Sequence, residues 1–182
     1  MSSHTVISEV SNLLRTILQQ GLGKQDVDLN NPGDDAAERT LSIWLYQVTP
    51  NEHLRNANNI RATGEVVEHI TPLPLDLYYL LTPSMANEST NQVTLGRALQ
   101  VLYDNSIITL NAGANTEELH LSICQRSIEE LAKVWEALHT PYRLSVCFEV
   151  RVVRIDSERT LQAGRILERA TDFEEMPVED AA

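Results

Sequence analysis

The sequence predicts a single α+β domain: a mostly antiparallel sheet of four strands or slightly more, packed with three α-helices on one side. Three observations carry this. The chain has 182 residues, enough for one well-cored domain but not for two. Four stretches alternate with the period of a strand, three of them with a proline near an end, as in antiparallel strands. Three others repeat apolar residues at helical spacing. A chain of this size removes roughly 70% of its unfolded surface from water, so it needs no disulfide or metal to fold.

The first helix is expected over residues 3–20. Val6, Val10, Leu13 and Ile17 form a stripe, which Ile7, Leu14 and Leu18 widen. Gly21 and Gly23 then stop it. Packing of this stripe on the domain's own sheet is expected, although its heptad-like spacing also suits a neighbouring subunit. Residues 38–48 read as a strand with Leu41, Ile43 and Leu45 on one face and Ser42, Trp44, Tyr46 and Val48 on the other. Residues 51–71 are polar and lack periodicity, a length that marks a functional arm or a locally disordered loop. Within it, Val66, Val67 and Ile70 allow a short ordered stretch, as one part of a hairpin.

Pro72 and Pro74 lead into a second strand, residues 75–81, and Pro83 stops it. Residues 91–105 read as a helix with Leu95, Ala98, Leu99, Leu102 and Tyr103 as its stripe. A polar loop is expected at 111–117 and a third strand at 118–125. Ser127 and Glu130 have capping-box spacing and open the third helix. Its buried side holds Ile128, Leu131, Val134, Trp135 and Leu138, and Pro141 ends it. Residues 142–155 form the clearest strand, with Leu144, Val146, Phe148, Val150 and Val152 against Ser145, Cys147, Glu149, Arg151 and Val153. The domain is thus assigned to residues 1–157. Residues 158–182 are read as an extension, a short helix around Leu161, Ile166 and Leu167 followed by a loose acidic tail.

The formal charge is −12. Such a surface repels phosphate backbones and anionic lipids, and the fourteen Lys and Arg are scattered among acids rather than clustered. Neither nucleic acid nor membrane is expected as a partner. Residues 1–10 lack a basic segment followed by an apolar run, and no apolar stretch approaches the ~20 residues of a membrane helix. Folding and assembly in the cytoplasm are expected. Cys124 and Cys147 read as small buried hydrophobes of a reducing compartment.

Residues that carry chemistry are mostly missing. Gly21-Leu22-Gly23-Lys24 lacks the framing and the Ser or Thr of a phosphate loop. The five histidines show no zinc-site spacing. His120 beside Glu117 and Glu118 is the nearest approach to a metal cluster, but on a strand Glu117 points away from the other two. Acidic doublets such as Asp34-Asp35 and Glu129-Glu130 read as solvated faces or helix starts. No catalytic residue, cofactor site or metal site is expected. The less ordinary feature is that the strands carry apolar bulk on both faces. Trp44, Tyr46, Tyr78 and Leu80 need cover of their own, either from another subunit or from the first helix.

Several runs together resemble a known family. They are residues 40–51 with the Asn51, Arg55, Asn56 turn, and the run 72–83 (PLPLDLYYLLTP), which is the most specific match. Leu95-Gly-Arg-Ala-Leu-Gln, Leu119-His-Leu-Ser, residues 128–138 and the last strand follow in the same order. Over about residues 6–157 the chain resembles the tail-terminator, or cap, proteins of extracellular contractile injection systems of the virulence-cassette and antifeeding-prophage type. Many relatives carry longer C-terminal extensions than this sequence shows.

The resemblance implies a tail-terminator-like fold and a ring, a hexamer, stacked on the last ring of inner tube and engaging the contractile sheath, within a particle released from the cell. It implies partners of three kinds: copies of the chain itself, the tube protein and the sheath protein. Trp44, Tyr46, Tyr78, Asn111 and Asn115 are the expected subunit contacts. Asn51, Arg55, Asn56 and Arg61, in the 51–71 loop, are the expected tube or sheath contacts. A baseplate or adaptor component of the same particle is the first alternative; a small binding module or enzyme unrelated to injection systems is the second.

Overall fold

Each of the three helical stripes becomes a helix, and the alternating stretches become strands of one twisted sheet. The structure is a computed structural model that describes residues 4–23, 25–33, 39–54, 67–69, 72–112, 115–157 and 160–162. Helix α1 (Val6–Gly21) is followed by β1 (Val27–Asp28), β2 (Leu41–Pro50), β3 (Val67–His69) and β4 (Leu73–Pro83). Then come α2 (Glu88–Asp104), β5 (Ile107–Ala112), β6 (Asn115–Ile123), α3 (Ile128–Ala137), β7 (Val146–Ile155) and β8 (Thr160–Gln162). Six strands form one sheet in the order β1-β2-β4-β7-β6-β5, and β3 pairs with β8 in a second, two-stranded sheet. Every pairing among the described strands is antiparallel except β1 with β2.

Helix α1 seats Val6, Val10, Leu14 and Leu18 against the sheet, one row at i, i+4 spacing, while Ile7, Leu13 and Ile17 flank it half-buried. The two glycines at its end differ in their roles. Gly23 alone has a positive φ, 73°, and turns the chain. Gly21 is the last helical residue, where a Cβ would lie 2.3 Å from Val101 Cγ2. Its bare backbone lets α1 and α2 approach. With α2, whose Leu95, Ala98, Val101 and Leu102 are buried, α1 covers the sheet face made of Leu41, Ile43, Leu75, Leu77, Tyr79, Leu81, Leu119, Leu121, Phe148 and Val150.

The third helix departs from the expectation that all helices share a side. Just before α3, the Arg126 guanidinium lies over the Tyr78 ring, on the face opposite α1 and α2. Just after α3, Leu138 and Thr140 lie beside Gly33. The turn holding Gly33 is itself bound to that opposite face: Ser42 donates to the Asn30 carbonyl at 2.8 Å, and Arg39 donates to the carbonyls of Asn31 and Pro32. Helix α3 therefore crosses the second face. The chain leaves β6 and returns in the adjacent β7, and the expected Ser127–Glu130 capping box opens the helix between them.

Two bulges change which residues share a face. Between β2 and β4 the register slips at Tyr46, since Leu45 faces Tyr79 and Gln47 faces Tyr78. Val48 thus pairs with Leu77 and turns to the α1 side, not to the side of Trp44 as strict alternation predicts. Between β4 and β7 the slip lies opposite Asp76, so Val153 pairs with Leu75 and is buried in the core rather than sharing the face of Cys147.

The polar stretch read as a loop at 111–117 lies on a hairpin. Strand β5, absent from the sequence reading, pairs residue for residue with β6 from Ile107–His120 to Ala112–Asn115. Val67 belongs to the short ordered stretch anticipated in the 51–71 segment, but its partner β8 comes from beyond residue 157. Leu161, expected in a short helix, is in β8. Ile166, Leu167 and the acidic tail lie outside the described residues.

Candidate assembly surface

The second face of the sheet has a buried end under α3 and a more open aromatic part. At the buried end Trp135 is 1% exposed, and its Nε1 donates to Ser145 Oγ at 3.1 Å. Tyr142 meets its ring edge-on at 6.4 Å. Leu80, Thr82 and Cys147 are buried on the same face. This answers the two-sided apolarity of the strands. Helix α1 covers the first face, and α3 covers only part of the second.

What α3 leaves is a row of aromatics. Trp44 and Tyr46 lie 6.2 Å apart between ring centroids, and Tyr46 and Tyr78 lie 6.4 Å apart. All three are half-buried. The bulge at Tyr46 places its ring in line with its neighbours, and its hydroxyl meets Cys147 Sγ at 3.1 Å. Burial pushes the Tyr46 phenol well above its ordinary value, helped by that thiol contact. Tyr78 is also raised, by burial and then by its hydrogen bond to Glu149. Both phenols remain neutral at physiological pH. Arg126 stands 5.2 Å from the Tyr78 centroid, a cation–π distance, and reaches Glu130 at 3.2 Å.

A polar border continues past Tyr78. Glu149 is buried, with Arg151 Nε at 2.9 Å from Oε1 and Ser122 Oγ at 3.5 Å from Oε2. Asn51 is turned inward and only 6% exposed. Its amide donates to both carboxylate oxygens of Asp76, at 2.9 and 3.1 Å, while its side-chain oxygen accepts from the amides of His53 and Leu54. Asn51 thus shapes the turn that starts the 51–71 segment.

The structure therefore brings Trp44, Tyr46 and Tyr78 together and does not place Asn111 or Asn115 with them. Those two residues lie on the β5–β6 hairpin, at the edge of the sheet away from β2. Arg55, Asn56 and Arg61 lie outside the described residues. Sequence reasoning missed Arg126 and Glu149 as members of this surface. Glu149 sits in the interior of an apolar strand, a position that calls for a partner, whereas nothing local marks Arg126, which reaches Tyr78 only through the path of α3.

Among the described residues no group of three or more His, Cys, Asp or Glu is arranged to hold a metal ion, and no helix is long and apolar enough to cross a membrane. An open groove of about 400 Å³ runs along α1, lined by His4, Ile7, Ser8, Ser11, Asn12, Leu29, Ile43 and Leu45.

Similar arrangements occur in solved structures. The chain superposes with a TM-score of 0.69, at 16% identity, on the sheath/tube terminator of an extracellular contractile injection system, PVC, in its extended state; 97% of this chain and 66% of that one are covered. It superposes with a TM-score of 0.62, at 17% identity, on the tube-terminating cap of the anti-feeding prophage, covering 90% of this chain and 60% of that one. The fold is thus that of the tube terminators, and the chain spans about two thirds of the length of these relatives or less. No curated protein matches. The family model described as the Pvc16 N-terminal domain matches residues 9–169, which among the described residues take in the three helices, apart from the first turn of α1, and the whole six-stranded sheet. The chain belongs to the Pvc16 N-terminal domain family.

Proposed function

We propose that this chain is a non-enzymatic terminator of a phage-tail-like contractile injection system, a homo-hexameric ring on the end of the inner tube and sheath. The observation that carries the reading is the family match over residues 9–169, supported by likeness to a sheath/tube terminator and a tube-terminating cap. The ring ends tube polymerisation and anchors the sheath. Its partners are copies of itself, the tube protein and the sheath protein, with neither nucleic acid nor membrane involved. The particle is assembled in the cytoplasm and released from the cell.

The surfaces suit this role. A six-fold ring is a closed heterologous assembly, in which one patch of each subunit meets a different patch of the next. The aromatic row of Trp44, Tyr46 and Tyr78 and the hairpin carrying Asn111 and Asn115 lie on separate parts of the sheet, as head-to-tail closure requires. The 51–71 segment, with Arg55, Asn56 and Arg61, supplies the reach to tube or sheath, and Asn51 fixes its root. Deleting the gene and imaging the particles tests the function. Tubes of uncontrolled length or sheaths that detach are expected; particles of normal length and integrity would refute it.

A further inference from the structure

Cys124 and Cys147 lie opposite each other across the β6–β7 ladder. Ile123 pairs with Phe148; one step on, the Cys124 amide donates to the Cys147 carbonyl at 3.0 Å. Facing residues at such a hydrogen-bonded position have Cα atoms ~5.5 Å apart, within the ~4.4–6.8 Å that a disulfide bridges. Their side chains share one face of the sheet, and each thiol shifts the titration of the other. Both are free thiols.

Their surroundings favour reaction. The Tyr46 hydroxyl is 3.1 Å from Cys147 Sγ, and the positive charge of Arg126 favours the thiolate there. The Cys124 hydrogen bond is the chief cause that brings the Cys147 thiol down to about 7; burial opposes it, and Tyr46 and Arg126 add to it. The same shared bond pushes Cys124 up, with burial and the charge of Glu149 acting in the same direction. Cys147 is 2% exposed while Cys124 is half-buried, so a small oxidant approaches from the Cys124 side.

We propose that Cys124 and Cys147 form a redox-active dithiol that closes to a cross-strand disulfide on reaction with hydrogen peroxide and reopens with a small-molecule dithiol. In the closing reaction the Cys147 thiolate attacks a peroxide oxygen. The O–O bond breaks, and the departing hydroxide takes a proton to become water. The Cys124 sulfur, losing its proton, then attacks the sulfenic sulfur, and the expelled hydroxide leaves as a second water. Two thiols are oxidised and one peroxide is reduced. A reducing dithiol reverses the bond by exchange and is itself oxidised to a disulfide. Cys124 is only half-buried, so the bridge is open to a reducing dithiol and belongs with the accessible, labile disulfides rather than the permanent ones. Closure also withdraws the Cys147 thiolate from Tyr46 and Arg126, two side chains of the aromatic surface, so the bridge alters that surface directly.

The test uses the purified wild-type chain, fully reduced, treated with stoichiometric hydrogen peroxide at neutral pH and then denatured in a maleimide. The reduced protein takes up two maleimides, one for each of its two cysteines. The oxidised monomer is expected to take up none and to be about 2 Da lighter. Its digest should hold one peptide pair joining Cys124 to Cys147, and dithiothreitol should restore both labels. Two thiols still labelled, separate sulfinic acids at each position, or bridges only between molecules would each overturn the proposal.

Discussion

Replacing Trp135 with alanine tests how α3 is held on the second face. Trp135 is the one residue of α3 that is fully buried, whereas Ile128 is 64% exposed and Leu131 and Val134 are half-buried. A buried indole removes roughly 150–250 Å² from water, worth about 4–6 kcal/mol at ~25 cal/mol per Å². Measured truncations of buried aromatics fall at about 3–5 kcal/mol, so a loss of about 4 kcal/mol is expected. Domains of this kind are stable by only about 5–15 kcal/mol, and the variant should unfold at much lower urea. Trp135→Phe keeps most of the ring and removes the donor to Ser145 Oγ, so a smaller loss of about 1–3 kcal/mol is expected. Urea titrations followed by circular dichroism measure both. In the wild type, the combined emission of Trp44 and Trp135 should shift to the red in the same transition. A loss under about 1 kcal/mol for Trp135→Ala would show that α3 is not seated through this side chain, and with it would go the argument that α3 positions Arg126 over Tyr78.

Four other outcomes follow from the structure. Gly21→Ala pushes a methyl into Val101 and should destabilise the chain by about 1–3 kcal/mol; combined with Val101→Ala it should cost clearly less than the sum of the two, measured by a thermal double-mutant cycle. Asn51→Leu leaves the buried Asp76 carboxylate without its amide donor and should cost about 2–3 kcal/mol in urea unfolding. The Glu130 carboxyl is held below the ordinary carboxylate range by the Ser127 amide and then its hydroxyl. Because its folded pKa is depressed, its contribution is present above the unfolded value and fades as pH falls through the folded one. The urea midpoints of wild type and Glu130→Ala should therefore differ most at neutral pH and converge in acid. Trp44→Ser should leave a folded chain that no longer forms rings in light scattering, and unchanged oligomers would remove the aromatic row from the subunit contact.

Much of the fold was legible because one-dimensional periodicity reports which side of an element is covered. The stripe of α1, the Ser127–Glu130 cap and the strand through Phe148 and Val150 were all read from spacing alone. Spacing fails where pairing partners decide the outcome. The bulge at Tyr46 depends on the register of β2 against β4, so strict alternation puts Val48 on the wrong face. Asn111 and Asn115 are polar residues of a hairpin edge, which carries no apolar alternation to mark it. The two-residue strand β1 is too short for any pattern. The side on which α3 packs was hidden for a related reason. Its one deep anchor, Trp135, is a single residue, and a single residue has no period. The aromatic row was legible in Trp44, Tyr46 and Tyr78, but its partners come from elsewhere in the chain, Cys147 and Glu149 from β7 and Arg126 from the link between β6 and α3, and meet it only in the folded sheet.

A cryo-EM reconstruction of the particle end farthest from the baseplate tests the central claim most directly. It should show a closed ring of copies of this chain, six-fold about the tube axis, resting on the last tube ring with its aromatic face and hairpin edge in contact between neighbours. A tube end bare of this chain, with its density found at the baseplate or nowhere in the particle, would contradict the assignment.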